Sequence, residues 1–207
     1  MNVVLYGATG NSGRSILQEL VTRGHRVTAV ARDTSKLPPT VTAVQDDLSS
    51  AEKIASIIAG ADVVISAYAP PPADPDALLG VTEREIQAVK TAGNARLIVV
   101  GGAGPLEVAP GVSLIASGHL PEQYLPIAKA HQKALEILKK SNVNWTYFSP
   151  GAYFVSGERT GKFRVGTNNL IVDAKGESRI SFADYAVALV DEIENPAHER
   201  GQMSIGY

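Results

Sequence analysis

A glycine-rich segment directly after the first apolar run constrains the fold more than any other feature of the chain. Residues 3–6 (VVLY) predict a buried strand, and the segment Gly7-Ala8-Thr9-Gly10-Asn11-Ser12-Gly13 follows without a break. Apolar residues then recur at helical spacing over 16–21, and residues 27–31 predict a second strand. A strand–turn–helix–strand unit with this glycine spacing is typical of dinucleotide binding, because the helix N-terminus offers free N–H groups to a pyrophosphate.

Each glycine of this turn has a predicted task. Gly7 permits the tight turn, Gly10 lets the backbone approach a phosphate, and Gly13 allows the helix to pack closely on the first strand. Three short polar side chains between them are candidates for phosphate or ribose contacts: Thr9, Asn11 and Ser12. The alternative is a glycine-rich turn that binds no ligand.

The rest of the chain alternates between strands and helices. Strands are predicted at 41–44, 62–66, 96–100 and 145–148, and helices at 49–59, 82–92 and 121–140. A last helix is predicted between a cap at Ser181 and a stop before Pro196. Apolar strands separated by helices indicate a parallel sheet buried on both faces. We therefore expect a single α/β domain over residues 1–207, a doubly wound Rossmann fold with a short C-terminal substrate lobe.

Composition excludes several classes of function. The formal net charge is −2, which gives no electrostatic reason to expect nucleic acid or an anionic membrane as a partner. The chain has no cysteine and its four histidines are scattered, so no metal site is expected. No apolar stretch approaches the roughly 20 residues that span a bilayer, and the first strand begins too early for a signal peptide. A cytoplasmic protein, monomeric or homodimeric, is expected.

Three long segments leave the predicted carboxyl ends of strands, at about 69–80, 101–121 and 150–176. Open α/β sheets bind their ligands at this edge, and loops of this length are commonly functional. They are the expected substrate side of the domain, although each is also consistent with a loop that merely covers the sheet.

The end of the second strand predicts which dinucleotide binds. An acidic residue there favours NAD, whereas a basic residue accommodates the 2′-phosphate of NADP. Arg32 comes first, and Ser35 and Lys36 can add donors, so NADP(H) is favoured over NAD(H). Asp33 argues the other way unless it starts a short turn. Arg32 is also consistent with an ordinary solvated charge.

Two further dipeptides are expected near the adenosine. Asp47 and Leu48 follow the third strand and are predicted to flank the adenine, although Asp46 and Asp47 could equally cap the next helix. Ala67 and Tyr68 follow the fourth strand and are predicted to run beside the adenine-side ribose.

Five segments together resemble the atypical short-chain dehydrogenase/reductases, in their NAD(P)H-binding branch. They are GATGNSG, TAVARDTSKLP, VVGGAGPLEVAPG, WTYFSPGAYFVSGERTGKFRVG and SRISFADYAVALVDEIENP, and they cover nearly the whole chain. The branch includes NADH-flavin reductases and proteins similar to biliverdin reductase B. The resemblance implies an NAD(P)H-dependent oxidoreductase on a Rossmann fold.

One departure from the larger superfamily is informative. Its usual members carry a tyrosine and, four residues later on one helix, a lysine that lowers the tyrosine pKa. Here Tyr124 is followed at that spacing by Ala128, and Lys129 is one place too far. His131 stands near the position usually given to the lysine. It is a candidate catalytic residue, as a proton donor or nicotinamide-ribose contact, or else an ordinary surface histidine. Tyr124 is the second candidate catalytic residue, favoured as a wall or gate of the site over a role as acid.

The remaining candidates lie after the fifth and sixth strands. Glycine there lets the backbone approach a flat ring, so Gly102, Ala103 and Gly104 are predicted at the nicotinamide. Pro150 and Gly151 are predicted to contact the nicotinamide carboxamide. Tyr153 and Phe154 are predicted to stack on an aromatic substrate, and the alternative is that both simply pack within the loop.

The predicted function is NADPH-dependent hydride transfer to a flavin, a quinone or a similar planar acceptor, since such rings need stacking more than a proton donor. Two alternatives remain open. One is a non-catalytic NADP(H)-binding redox sensor, and the other, less favoured, is a sugar-nucleotide epimerase or dehydratase.

Overall fold

A computed structural model describes residues 1–93 and 95–207 of the chain. The helices are α1 (Asn11–Thr22), α2 (Ala51–Ile57), α3 (Ala77–Ala92), α4 (Leu125–Lys140) and α5 (Phe182–Glu194), and short 3-10 turns cover Thr34–Lys36 and Glu122–Tyr124. The strands are β1 (Asn2–Tyr6), β2 (Arg26–Ala31), β3 (Thr42–Gln45), β4 (Val63–Ser66), β5 (Arg96–Val100), β6 (Glu107–Ala109), β7 (Val112–Ser113), β8 (Trp145–Ser149), β9 (Tyr153–Val155), β10 (Arg164–Gly166), β11 (Arg179–Ser181) and β12 (Gly201–Gly206).

One eight-stranded sheet organises the domain. Its order is β10-β12-β8-β5-β4-β1-β2-β3, and every neighbouring pair is parallel except β10 with β12. The chain leaves β1 in one direction toward β3 and in the other toward β8, so strand order reverses between β1 and β4. Ligands of open α/β sheets bind at such a switch point. The predicted doubly wound α/β fold is confirmed.

Helices cover both faces of this sheet. Alternate residues of β1 point to opposite sides, with Leu5 packed against α1 and α5 and Tyr6 in the cluster that includes α2 and α3. The predicted cap of the last helix is confirmed, because the Ser181 hydroxyl accepts a hydrogen bond from the Asp184 N–H at 2.9 Å.

Some predicted boundaries are wrong. α3 begins at Ala77, five residues before the predicted start, so the first long loop ends at Asp76 instead of reaching residue 80. Leu78 is 2% exposed and its carbonyl accepts the Thr82 hydroxyl at 2.8 Å, so tertiary packing extends the helix through Gly80. The helix predicted over 121–140 begins with a 3-10 turn, and α4 proper starts at Leu125.

The C-terminal lobe is built partly into the main sheet. β12 lies beside β8 and carries β10 on its other edge, whereas β9 and β11 form a separate two-stranded sheet. Arg159 anchors the segment between them by a two-pronged ion pair with Glu19 of α1, at 2.9 Å for each contact. Strands this short depend on partners far away in sequence, and the sequence pattern did not predict them.

Candidate dinucleotide and acceptor site

The turn after β1 has no room for side chains at two of its glycines. Gly7 adopts φ +73°, and a Cβ there would lie 2.3 Å from the Ala67 carbonyl oxygen at the end of β4. A Cβ on Gly13 would lie 2.0 Å from the Gly7 carbonyl oxygen. The Gly10 N–H donates to that same oxygen at 2.9 Å and closes the turn. Only glycine fits positions 7 and 13, so the turn brings backbone against backbone at the switch point.

The N-terminus of α1 is left open by this turn. Its cap is Gly10, which offers no side-chain acceptor, and the first turn carries no acidic residue. Thr9 and Ser12 are half-buried and Asn11 is exposed, all at the same end of the helix. A helix N-terminus with uncapped N–H groups suits an anion, because the helix dipole adds to the backbone donors. The residues present therefore fit a pyrophosphate.

Beyond β2, Asp33 organises the segment that is predicted to contact the 2′ position. One carboxylate oxygen accepts the Ser35 N–H at 3.0 Å and the Ser35 hydroxyl at 2.7 Å, while the other lies 3.8 Å from the Lys36 Nζ. These hydrogen bonds hold the pKa of Asp33 below its usual value. Ser35 and Lys36 thus face Asp33, and Arg32 is an exposed cation at the end of β2.

The segment after β3 adopts an unusual backbone. Leu48 has φ +63° and is 4% exposed, which is a costly conformation for a residue with a Cβ. Its N–H donates to Asp46 at 3.2 Å and its carbonyl accepts the Arg84 Nε at 2.6 Å. Ser50, and not either aspartate, caps α2 by accepting the Lys53 N–H. Asp47 is exposed beside Leu48 and accepts the Ser49 N–H.

The segment after β4 lies against the glycine turn. Ala67 is buried, its N–H donates to the Tyr6 carbonyl at 3.1 Å, and its own carbonyl fills the place of a Gly7 side chain. Tyr68 is half-buried, and Arg32 lies close enough for its charge to act on the tyrosine pKa. The predicted adenosine-side residues thus gather at the carboxyl edge of β1–β4.

A cavity of about 800 Å³ opens at the carboxyl ends of β5 and β8. Its wall unites residues predicted separately for the cofactor and the substrate: Gly102, Ala103, Gly104, Tyr124, His131, Pro150, Gly151, Tyr153 and Phe154. The glycines leave room for their neighbours, since a Cβ on Gly102 would lie 2.9 Å from the His131 ring and one on Gly104 2.9 Å from the Ala128 Cβ. A cavity of this size holds a drug-sized molecule.

A buried tyrosine that the sequence did not single out holds the histidine of this cavity. The Tyr147 hydroxyl on β8 lies 2.9 Å from the His131 Nδ1, 3.2 Å from the His131 carbonyl oxygen, and accepts the Gly102 N–H at 3.1 Å. Burial raises the pKa of Tyr147 and lowers the pKa of His131 to about 4. The one available signal was a tyrosine hydroxyl within a predicted buried strand, where a hydrogen-bond partner is needed.

The three other aromatic side chains predicted for the site lie at different depths in the cavity. Tyr124 lies in the 3-10 turn before α4 and is 52% exposed at the mouth of the cavity, as is Tyr153 at 61%. Phe154 packs edge-to-face on Phe182 at 4.6 Å and against Tyr185 at 4.7 Å, so its ring belongs largely to the core under the cavity wall.

A second group of buried polar side chains lies beneath the adenosine side. Glu85 is 1% exposed, and burial raises its pKa to about 7 despite a hydrogen bond from Ser66. Within the described residues, the Tyr6 hydroxyl and one oxygen of Glu85 have no hydrogen-bond partner. Asp46 and Glu85 both act to raise the pKa of Tyr6, after burial itself.

No group of three or more histidines, cysteines and carboxylates in residues 1–93 and 95–207 is arranged to hold a metal ion. None of the helices described is long and apolar enough to cross a membrane.

Comparison with known proteins identifies the family. The NAD(P)H-binding family profile matches residues 7–194. Three examples among the similar solved structures each align with 100% of this chain. They are a putative exported protein of Burkholderia pseudomallei (41% identity, 100% of that chain, TM-score 0.92), a putative epimerase of Bacteroides thetaiotaomicron (41%, 96%, 0.93) and a putative NADH-flavin reductase of Streptococcus pneumoniae (33%, 99%, 0.92). Their names differ, but the fold is shared, and the resemblance predicted from the sequence is confirmed. This protein belongs to the NAD(P)H-binding family.

Proposed function

We propose that this protein is an NAD(P)H-dependent reductase whose acceptor is a planar ring such as a flavin or a quinone. One observation carries the proposal: a cavity of about 800 Å³, walled by glycine backbone and aromatic rings, opens along the same carboxyl edge of the sheet as the glycine turn. Such a wall suits stacking of flat rings, and the similarity to a protein named as a putative NADH-flavin reductase supports the same chemistry.

When bound, the reduced dinucleotide would supply a hydride and become NAD(P)⁺. An acceptor that takes up this hydride and one proton is reduced by two electrons. The chain's part is to bind and orient. Gly7, Gly10 and Gly13 would hold the pyrophosphate at the open end of α1, and Gly102 and Gly104 let the backbone of the cavity wall pack closely against His131 and Ala128.

His131 acts in this scheme as a neutral hydrogen-bond donor. With its pKa lowered to about 4 by burial, the ring is uncharged at neutral pH and is not a source of protons. A neutral N–H aimed at the acceptor still stabilises the negative charge that builds up on it, and the proton comes from water. Tyr124 is half exposed with Ala128, and not a lysine, four residues on, which favours acceptors that need no strong acid.

We propose further that NADP(H) is preferred over NAD(H). Asp33 is the carboxylate at the end of β2 that could accept a ribose 2′-hydroxyl, but one of its oxygens accepts the Ser35 N–H and hydroxyl and the other lies 3.8 Å from the Lys36 Nζ. Arg32 is exposed beside it and suits the 2′-phosphate. Titration calorimetry with NADPH and NADH tests this, and equal dissociation constants would contradict it.

Anaerobic assays of NADPH oxidation with riboflavin, FMN and menadione test the proposed activity. We expect turnover with at least one acceptor, and loss of that turnover when Gly13→Ala blocks the turn. NADPH binding without oxidation by any acceptor would contradict a reductase and support the redox-sensor alternative. Conversion of a sugar nucleotide would instead support the epimerase that one relative is named for.

We also propose a cytoplasmic location. Because one relative is named as an exported protein, fractionation of the source cells is the test, and recovery outside the cytoplasm would contradict the proposal.

A further inference from the structure

The cavity wall is almost free of charge. Of the described residues that line it, Glu177 is the one carboxylate and is exposed, none is lysine or arginine, and the two histidines are the exposed His119 and the half-buried His131. Exposed apolar and aromatic side chains surround its mouth: Val108, Tyr124, Tyr153 and Val172. The cationic neighbours of Glu177 in sequence, Lys175 and Arg179, are exposed but do not line the cavity.

The group that His131 presents to the cavity is a neutral N–H donor. The Tyr147 hydroxyl has a single proton, and two acceptors compete for it. The His131 Nδ1 at 2.9 Å is within ordinary range, whereas 3.2 Å to the His131 carbonyl oxygen is long for an O–H···O bond. We therefore assign the proton to the Nδ1 contact, which leaves the ring proton on Nε2.

The Nε2–H of His131 reaches the cavity. Nε2 makes no hydrogen bond with the described residues, yet it is not among their buried unpartnered atoms, so it contacts the open space of the cavity that the ring lines. Burial keeps the ring uncharged at neutral pH. An acceptor carbonyl or ring nitrogen can accept a hydrogen bond from this N–H, whereas an anionic group meets no lysine or arginine among the described lining residues.

From these observations we propose that the cavity selects planar acceptors without negative charge, with Glu177 as the residue that disfavours anionic ones. The inference rests on the proposed reductase function and specifies its substrate class. A phosphate or carboxylate entering this cavity loses water without gaining a lysine or arginine partner, and it meets the carboxylate of Glu177. A neutral quinone or riboflavin ring needs only the stacking surface and the His131 donor.

Riboflavin and FMN provide a matched test, because they share the same reacting ring and differ by one phosphate. We expect kcat/KM for riboflavin to exceed that for FMN by at least about threefold, the factor for one like charge at ~6 Å in a water-like dielectric. Glu177→Gln should narrow the difference and Glu177→Lys should reverse it. Glu136→Lys, an equal change of charge on the exposed side of α4, should leave it unchanged.

The outcomes separate the two proposals. If FMN equals or exceeds riboflavin in the unmodified protein, or if Glu177→Lys leaves the ratio unchanged, the charge selection is refuted while the reductase function stands. If neither flavin nor menadione oxidises NADPH, the reductase function fails, and the charge selection fails with it.

Discussion

Substituting Gly13 by alanine tests how the glycine turn binds the dinucleotide. Helix propensity alone favours alanine in a helix by about 1 kcal/mol. The new Cβ, however, would lie 2.0 Å from the Gly7 carbonyl oxygen and 2.9 Å from its carbon, so backbone must move. Overpacking of this kind costs about 1–3 kcal/mol. We therefore expect a net loss of stability and a displaced N-terminus of α1.

The effect on binding follows from that displacement. Losing even one charge-assisted hydrogen bond from the helix N-terminus costs about 1.5–3 kcal/mol, or roughly tenfold to 150-fold in the Kd of NADPH. Titration calorimetry measures this Kd, and thermal unfolding gives the accompanying loss of stability.

The control lies at the other end of the same helix. Gly24 has φ +77°, and a Cβ added there would have nothing within 4 Å, so Gly24→Ala costs about 1–2 kcal/mol of backbone strain without touching the turn. Its Tm should fall by about 2–4 °C per kcal/mol, with the Kd unchanged. If Gly13→Ala does not fold, Gly10→Ala, whose Cβ would lie 3.2 Å from the Gly7 oxygen, replaces it. An unchanged Kd in a folded turn variant would refute the assignment of the pyrophosphate to this turn.

Three further predictions follow from other parts of the site. Arg32→Ala should weaken NADPH binding roughly tenfold or more and leave NADH binding unchanged in calorimetry, and equal losses would contradict a 2′-phosphate contact. Tyr147→Phe should cost about 1 kcal/mol, because the half-buried Gly102 N–H loses its hydrogen-bond acceptor. Long-range ¹H–¹⁵N spectra of the unmodified protein should show His131 as a single tautomer with its proton on Nε2, and Tyr147→Phe should abolish that preference. A proton on Nδ1 in the unmodified protein would contradict the assignment. The contribution of His131 to the unfolding free energy is lost as pH drops from 6.5 to about 4, because the unfolded chain protonates the histidine first. The contribution of Glu85 is lost as pH rises from 4.5 through about 7, because the folded state holds the proton. The two contributions oppose each other between pH 4.5 and 6.5, so variants are needed to separate them. In chemical denaturation across pH, His131→Gln should show the unfolding free energy falling as pH rises and Glu85→Gln should show it falling as pH drops, and profiles equal to that of the unmodified protein would contradict these pKa shifts.

Much of the fold was predictable because its signals are local. The strand–turn–helix unit at residues 3–31 and the unbroken apolar strands lie within short windows of sequence, and the parallel arrangement of the strands follows from their alternation with helices. The start of α3 was not predictable, because Gly80 and the preceding prolines conceal a helix that tertiary packing stabilises. Strands β9–β12 depend on partners distant in sequence.

The residues of the site likewise divide into those that the sequence could predict and those that it could not. Gly7, Gly10 and Gly13 could be assigned from spacing because their role is set by the backbone. The orientation of side chains could not: Asp33 binds Ser35 and Lys36, and Tyr147 holds His131 across 16 positions. Such contacts depend on which strand lies beside which helix, and a single sequence carries little information on that.

Hydride transfer is the central claim, and one measurement tests it directly. Under anaerobic stopped flow, NADPH carrying deuterium at its transferable position should reduce riboflavin or menadione more slowly than unlabelled NADPH. The account predicts loss of NADPH absorbance, matching reduction of the acceptor, and this isotope effect. Tight NADPH binding with no oxidation by either acceptor would contradict it.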